Sequence, residues 1–167
     1  MFPVVASDLN DYYAKIGRVF RAEIGTTIAT ATTGTFLVGI QTGSLPLRVL
    51  SRSYTSSESP LTVELFENDW TGGTSTGIRT LNRNLAVGGT PPATFLGGVT
   101  ATLGAAITGA TLRAATTGGT SALSVSSDDN VLVLKPNTKY VLRFTNGGQA
   151  NAQVSAGIDF RNVQPEE

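Results

Sequence analysis

Apolar and polar residues alternate along most of this chain with the period of two that is typical of β-strands. Such alternation indicates antiparallel sheets that turn one face to a core and the other to solvent. The segments that show it are Phe20–Ile24, Phe36–Ile40, Leu45–Val49, Leu61–Leu65, Tyr140–Phe144 and Ala152–Phe160. Val131–Leu134 is apolar throughout, and it predicts a strand more deeply buried than the others.

Turn-forming residues separate these segments. Asn146-Gly147, between the last two segments, predicts the tight turn of a β-hairpin. Short strands, frequent Gly, Pro and Asn, and little helical periodicity together predict an all-β protein, an antiparallel β-sandwich or jelly roll. A chain of 167 residues is long enough for one such domain, and no internal repeat is apparent.

The first 17 residues form the one stretch with helical character. Ser7 is a suitable N-cap and Gly17 a suitable end for a short helix between them. We therefore expect residues 1–17 to be an N-terminal arm or short helix, and residues 18–167 to be a single β-sandwich domain. The arm is too apolar for a free tail, so we expect it to dock on this domain or on a neighbouring molecule. Its candidate contact residues are Phe2, Pro3, Tyr12 and Tyr13.

Residues 85–127 are poor in charge, with Arg113 as the single charged side chain. This segment is either a pair of weak strands with long loops or a surface buried against another copy or another protein. We favour the second interpretation, because long uncharged surfaces are rare on soluble monomers and small residues tolerate close backbone approach. Leu103 and Ile107 are candidate contact residues within the segment.

The absence of histidine and cysteine excludes most catalytic chemistry. Ser-His and Cys-His triads, His/Cys metal sites and disulfides all require residues that this chain lacks. Gly73–Gly77 matches the G-x-S-x-G pattern of hydrolases, but without a histidine we interpret it as a Thr/Ser/Gly hairpin loop. We expect no enzymatic activity, no cofactor and no metal.

Acidic residues offer two further candidate sites. Glu64, Glu67 and Asp69 resemble the carboxylates of a glycosidase, but solvated strand positions and a turn explain them better. Ser127–Asn130 has oxygen ligands for calcium, yet it lacks a loop of the required spacing and predicts a turn.

The balance of charges bears on partners and location. Twelve basic and twelve acidic side chains give a formal net charge of zero, so nothing predicts nucleic-acid binding, and copies of the chain can associate without repulsion. No apolar run approaches the roughly 18 residues of a membrane span. The N-terminus lacks the basic start and apolar stretch of a signal peptide, so we expect synthesis in a cytoplasm.

Four arginines form two pairs with a spacing of four residues, Arg48 with Arg52 and Arg79 with Arg83. On a strand, each pair would point to one face. Such a pair could bind carboxylates of a neighbouring subunit or a phosphate, although a solvated sheet face is the more common arrangement.

Aromatic residues offer one candidate ligand site. Trp70, with Phe66 and Tyr54, could form a platform for a sugar, but an aromatic side chain near a turn more often covers a core.

Two longer stretches show a distinctive order of residues. One is Leu61–Thr74, which continues to Arg79–Asn84, and the other is Leu134–Asn146. A strand ends in acidic residues, a Gly-Gly-Thr loop and an Asn-x-Asn segment follow, and a Pro-Asn-Thr…Tyr…Arg…Thr-Asn pattern lies near the C-terminus. Together they resemble the decoration, or cement, proteins of tailed-bacteriophage heads, which have a jelly-roll-like fold. The resemblance covers about half of the chain and carries over no catalytic residue.

This resemblance implies a structural virion protein, made in the host cytoplasm. It would bind the outer capsid surface as a dimer or trimer, contact the major capsid protein and stabilise contacts between capsomers. The alternatives are a tail, head-fibre or head–tail adaptor component, and a carbohydrate-binding module with Trp70 and Tyr54 exposed. The candidate contact residues are Phe2, Pro3, Tyr12, Tyr13, Arg48, Arg52, Trp70, Arg79, Arg83, Leu103 and Ile107.

Overall fold

Twelve β-strands and one helical turn make up the regular structure of the described residues in the computed structural model. The described residues are 12–29, 34–57, 60–107, 112–114, 120–126, 132–148 and 151–163. The strands are β1 (Phe20–Ile28), β2 (Thr35–Thr42), β3 (Leu47–Ser57), β4 (Leu61–Glu67), β5 (Thr71–Thr74), β6 (Ile78–Asn82), β7 (Ala93–Thr100), β8 (Leu112–Ala114), β9 (Thr120–Ser126), β10 (Leu132–Leu134), β11 (Lys139–Asn146) and β12 (Ala152–Asn162). Within this part of the chain, no helix has the length and apolar character needed to cross a membrane.

The strands form two six-stranded antiparallel sheets that pack face to face. In sheet A the order is β10-β3-β12-β1-β6, and β9 pairs with the remaining length of β3 beside β10. In sheet B the order is β5-β7-β2-β11-β4-β8. The expected all-β antiparallel sandwich is therefore confirmed.

The core between the sheets is built from the alternating positions that the sequence marks as apolar. On β1, Phe20, Ala22 and Ile24 are buried, and Arg21 and Glu23 between them face outwards. The aromatic side chains of the two sheets meet in this core. The ring centroids of Tyr54 and Phe144 are 5.9 Å apart, and those of Phe95 and Phe160 are 5.1 Å apart.

The predicted hairpin at Asn146-Gly147 is wrong. β11 pairs with β2 and β4 in sheet B, whereas β12 pairs with β1 and β3 in sheet A, so the connection crosses between the sheets. Gly147 N–H donates to the Pro60 carbonyl at 2.9 Å, which ties this connection to a neighbouring one. Gly73–Gly77 likewise joins β5 of sheet B to β6 of sheet A, so it is not a hairpin loop either. Alternation identifies the buried face of a strand but not its partner.

The apolar run that ends at Leu134 was predicted to be the most buried strand, and that prediction is also wrong. β10 is short and, among the described strands, pairs with β3 alone, at the edge of sheet A. Leu134 is buried, but the side chain of Val133 is 47% exposed.

Candidate functional site

Four of the five large apolar side chains that are exposed among the described residues lie on two neighbouring segments. One segment is the helical turn at residues 12–15 with its C-terminal end, and the other is the loop that follows β6. The exposed fractions are 55% for Tyr12, 37% for Ile16, 82% for Leu85 and 40% for Val87. We call these four residues the arm–loop patch.

The helical turn ends as the sequence predicts, at Gly17. This residue has a φ of +73°, in the left-handed region that favours glycine, and Arg18 N–H donates across it to the Tyr13 carbonyl at 2.9 Å. A β-carbon at Gly17 would lie 2.7 Å from Cγ1 of Val87, so the glycine also allows the loop to pack closely against the turn.

Two asparagine side chains tie the loop to the turn. Asn82 Nδ2 donates to the carbonyls of Gly17 at 2.8 Å and of Val87 at 2.9 Å. Asn84 Nδ2 donates to the carbonyl of Lys15 at 2.6 Å. These bonds fix two segments of separate sequence as one surface, so the arm–loop patch is preformed.

Basic side chains border the arm–loop patch. Lys15 and Arg18 on the turn and Arg83 in the loop are exposed, and neither residues 12–20 nor residues 78–107 contain Asp or Glu. Oδ1 of Asp159, on β12, lies 3.7 Å from Nη1 of Arg83.

The N-terminal segment docks on its own domain through Tyr13. The guanidinium carbon of Arg161 lies 4.3 Å from the centroid of the Tyr13 ring, a cation–π contact with a side chain that is 1% exposed. Tyr13 thus contacts the chain's own domain, whereas Tyr12 is exposed. Phe2 and Pro3 lie outside the described residues.

Trp70 and Tyr54 are both buried, as expected for aromatic residues that cover a core, and the alternative of an exposed sugar platform is wrong. Tyr54 is 1% exposed in the core, where burial raises the pKa of its hydroxyl to about 12, against the smaller opposing effect of Arg52. Trp70 is 8% exposed and lies over Gly39, where the absence of a side chain makes room for the indole ring. Its indole nitrogen donates to the Ile40 carbonyl at 3.4 Å.

Trp70 belongs to a second apolar cluster, on the outer face of sheet B, together with Phe66, Val99 and Val141. Residues 101–107 pack over it through Ala101, Leu103 and Ala106. Ile107 then joins the main core, and its N–H donates to the Leu65 carbonyl at 2.8 Å. Within the charge-poor segment, β7 is thus an integral strand of sheet B, and Leu103 and Ile107 contact the chain's own domain.

Arg48 and Arg52 do not share a face, which corrects the expectation from their spacing. Val49 pairs with Phe160 and Ser51 with Asp159, so Leu50 is an extra residue in β3, a β-bulge. The bulge reverses the alternation. Arg52 is consequently 6% exposed and lines a small interior cavity of about 20 Å³, whereas Arg48 is half-buried. Neither is available as an exposed contact.

Arg79 and Arg83, by contrast, are both exposed on the sheet A side of the molecule, as their spacing predicts. Arg79 is the register partner of Glu23 on β1, and Arg83 approaches Asp159 of β12.

The carboxylates near β4 are neutralised within the molecule. Oε2 of Glu64 lies 2.6 Å from Nη2 of Arg143, and Oε2 of Glu67 lies 2.7 Å from Nζ of Lys135, which raises the pKa of that lysine. The hydrogen bond from Lys139 Nζ, at 2.6 Å, holds the pKa of Asp69 below its ordinary value. These ion pairs join β4 and the residues after it to β11 and to the residue that follows β10. Ser127–Asn130 lies outside the described residues.

Sequence reasoning found parts of the arm–loop patch but not the patch itself. It named Tyr12 as a candidate contact and placed Leu85 and Val87 in the charge-poor segment, but the contacts of Asn82 and Asn84 that join these residues are tertiary. The one available signal was the Asn-Arg-Asn sequence after β6, because asparagine side chains often bond to nearby backbone in loops.

Comparison with known proteins identifies no relative by sequence. No family model matches the chain, and no curated protein matches it. Among solved structures, that of tomato aspermy virus is similar at 12% identity over 87% of this chain and 78% of that chain, with a TM-score of 0.32. The structure of Eiger TNF from S. frugiperda has 11% identity over 89% of this chain and 94% of that chain, with a TM-score of 0.26.

A mutant VP2 protein of infectious bursal disease virus has 13% identity over 86% of this chain and 41% of that chain, with a TM-score of 0.14. TM-scores this low do not establish a shared fold.

Proposed function

We propose that this chain is a structural virion protein that binds the outer surface of a tailed-phage capsid and stabilises contacts between capsomers. The observation that carries the proposal is the arm–loop patch. A monomer gains nothing from leaving Leu85 82% exposed beside Tyr12, Ile16 and Val87 on segments that hydrogen bonds hold in place. A preformed apolar surface of this kind suits a permanent contact, because little conformational entropy is lost on binding.

The proposed partners are the major capsid protein and further copies of this chain, as a dimer or trimer. A zero net charge supports dense packing of copies on a shell, because it minimises their mutual repulsion. The small size of the patch is consistent with this role, since many modest contacts on one particle act together. The proposed location is the capsid surface, after synthesis in the host cytoplasm.

The test is the copy number of the chain in purified particles of the source phage, measured by quantitative mass spectrometry against the major shell protein. Hundreds of copies in a simple ratio to the shell protein are expected for a decoration protein. A dozen copies or fewer would instead assign the chain to the tail, a head fibre or the head–tail adaptor. Complete absence would refute a virion role.

A further inference from the structure

The outer face of sheet A carries an open groove that plays no part in the proposed capsid contact. Its volume is about 570 Å³, within the range of about 300–1,000 Å³ that is typical of ligand sites. A second depression of about 500 Å³ continues it along the strands and shares Gly25, Thr55 and Ser155 with it. Four strands contribute to the groove, β6, β1, β12 and β3.

Two glycines shape the floor of the groove. Gly25 on β1 pairs with Ser155 on β12, and a β-carbon built on Gly25 would meet no atom within 4 Å. At Gly157 the corresponding space is filled, because the guanidinium of Arg21 lies across it towards Asp159. The floor is therefore open at Gly25 and closed at Gly157.

The walls of the groove are rich in hydroxyl groups. Ser53, Thr55 and Ser155 line it, and Thr27, Ser57 and Gln153 line its continuation. Among the residues that the structure describes, no aromatic side chain and no methionine contributes to either depression. This composition is unlike the core of a protein–protein interface, which is enriched in aromatic residues and methionine, but it suits a ligand that is itself rich in hydroxyls.

Charge narrows the class of ligand. Arg21 forms ion pairs with Asp159 at 3.3 Å and with Glu23 at 3.4 Å. Arg79 is exposed at the groove and has no hydrogen bond or ion pair with any described residue. The charged residues that line the groove are Arg21, Arg79 and Glu23, and both Glu23 and Asp159 pair with Arg21. Arg79 is therefore the cation to which a carboxylate of a ligand would bind.

We propose that this groove binds an acidic saccharide with one carboxylate per repeating unit. The carboxylate pairs with the Arg79 guanidinium, the sugar hydroxyls bond to the side chains of Ser53, Thr55 and Ser155, and a sugar ring lies over Gly25. The inference does not rest on the virion role, because no residue that lines the groove belongs to the arm–loop patch.

The test uses the full chain and two probes in calorimetric titrations. One probe is a hexasaccharide of alternating glucuronic acid and N-acetylglucosamine, and the other is the neutral hexasaccharide of N-acetylglucosamine. Gly25→Val fills the floor and Arg79→Gln removes the cation. Their matched controls are Gly104→Val and Arg18→Gln, which make the same changes at exposed positions outside the groove.

Saturable binding of the acidic probe is expected, with the neutral probe bound at least about tenfold more weakly. Arg79→Gln should lower the affinity for the acidic probe by about tenfold, and Gly25→Val should abolish its binding. The two control variants should bind it as the wild type does. Equal binding of both probes, or unchanged binding to Gly25→Val, would overturn the proposal. So would an absence of binding accompanied by a change of oligomeric state in Gly25→Val, since the face would then be an interface between copies.

Discussion

Among the described residues, the outer face of sheet B is covered, whereas the outer face of sheet A is open, although both sheets are built from alternating strands. On sheet B, Phe66, Trp70 and Val141 form an apolar layer beneath residues 101–107. On sheet A, the corresponding outward positions carry hydroxyls, charges and glycine. The glycine on each face shows the difference, because Gly39 receives an indole ring and Gly25 faces empty space. The alternation that predicts which side of a strand faces the core therefore does not predict whether the opposite side is covered or open.

The cover on sheet B is expected to stabilise the fold, so its removal should have the largest effect. Trp70→Ala should lower the free energy of unfolding by about 3–5 kcal/mol, because a large buried side chain leaves a cavity. Tyr12→Ala is the matched control at an exposed aromatic position, with an expected change within about 0.5 kcal/mol. Urea denaturation measures both values, and similar values for the two variants would show that the cluster is not a second core.

The two glycines provide a direct comparison of the faces. Gly39→Val should destabilise the protein by about 1–3 kcal/mol, because its β-carbon would lie 2.5 Å from Cε2 of Trp70. Gly25→Val should be neutral or slightly stabilising, since valine favours strands and the site is open. Thermal unfolding of both variants tests the prediction. Equal destabilisation would mean that the face of sheet A is also filled.

A substitution in the arm–loop patch should weaken capsid binding without changing the free energy of unfolding. Leu85→Ser should leave the free energy of unfolding within about 0.5 kcal/mol of the wild type, because the side chain is already exposed. The affinity of this variant for purified capsids that lack the protein should fall by about tenfold, which corresponds to about 1.4 kcal/mol for each copy bound. Val133→Ser, at an exposed apolar residue away from the patch, is the control. Equal attachment of the two variants in a sedimentation assay would remove the patch from the interface.

The smallest expected effect concerns acid pH and the ion pair between Asp69, after β4, and Lys139, at the start of β11. Bonds from Lys139 and Trp70 hold the pKa of Asp69 below its ordinary value of 3.8. Its contribution to stability is therefore complete above that ordinary value and is lost as the pH falls through the lower pKa of the folded state. Asp69→Asn should reduce the loss of thermal stability in this acid range. The matched control is Glu23→Gln, which removes a carboxylate from the outer face of sheet A. Parallel melting-temperature profiles for wild type and Asp69→Asn would contradict the assignment.

The sequence predicted the layers of the fold well and the arrangement within each layer poorly. Phe20, Ala22 and Ile24 are buried as their alternation indicates, because facing a core is a local property of a strand. The partner of a strand is not local, so the pairing of β11 and β12 as a hairpin was wrong. A single extra residue at Leu50 was enough to move Arg52 from the expected outer face to the interior.

The two surfaces with proposed roles depend on residues that are distant in sequence. Asn84 joins the loop to Lys15, and the register of β1 with β12 and β6 places Gly25 opposite Ser155 and Arg79 opposite Glu23. Neither arrangement follows from spacing. Trp70, in contrast, was correctly suspected of covering a core, because a large aromatic residue next to a turn has few other stable positions.

The pairing of β1 with β12 has a consequence for how this chain is made. Phe20 lies opposite Phe160 and Ile28 opposite Ala152, so the centre of sheet A joins strands from the two ends of the described chain. During synthesis, β1 and β3 leave the ribosome long before β12, which pairs with both of them. Sheet A can therefore close only after translation of β12, and contacts this distant in sequence favour slow folding, in milliseconds to seconds. Until that moment, the apolar faces of β1 and β3 lack part of their core and are prone to aggregation.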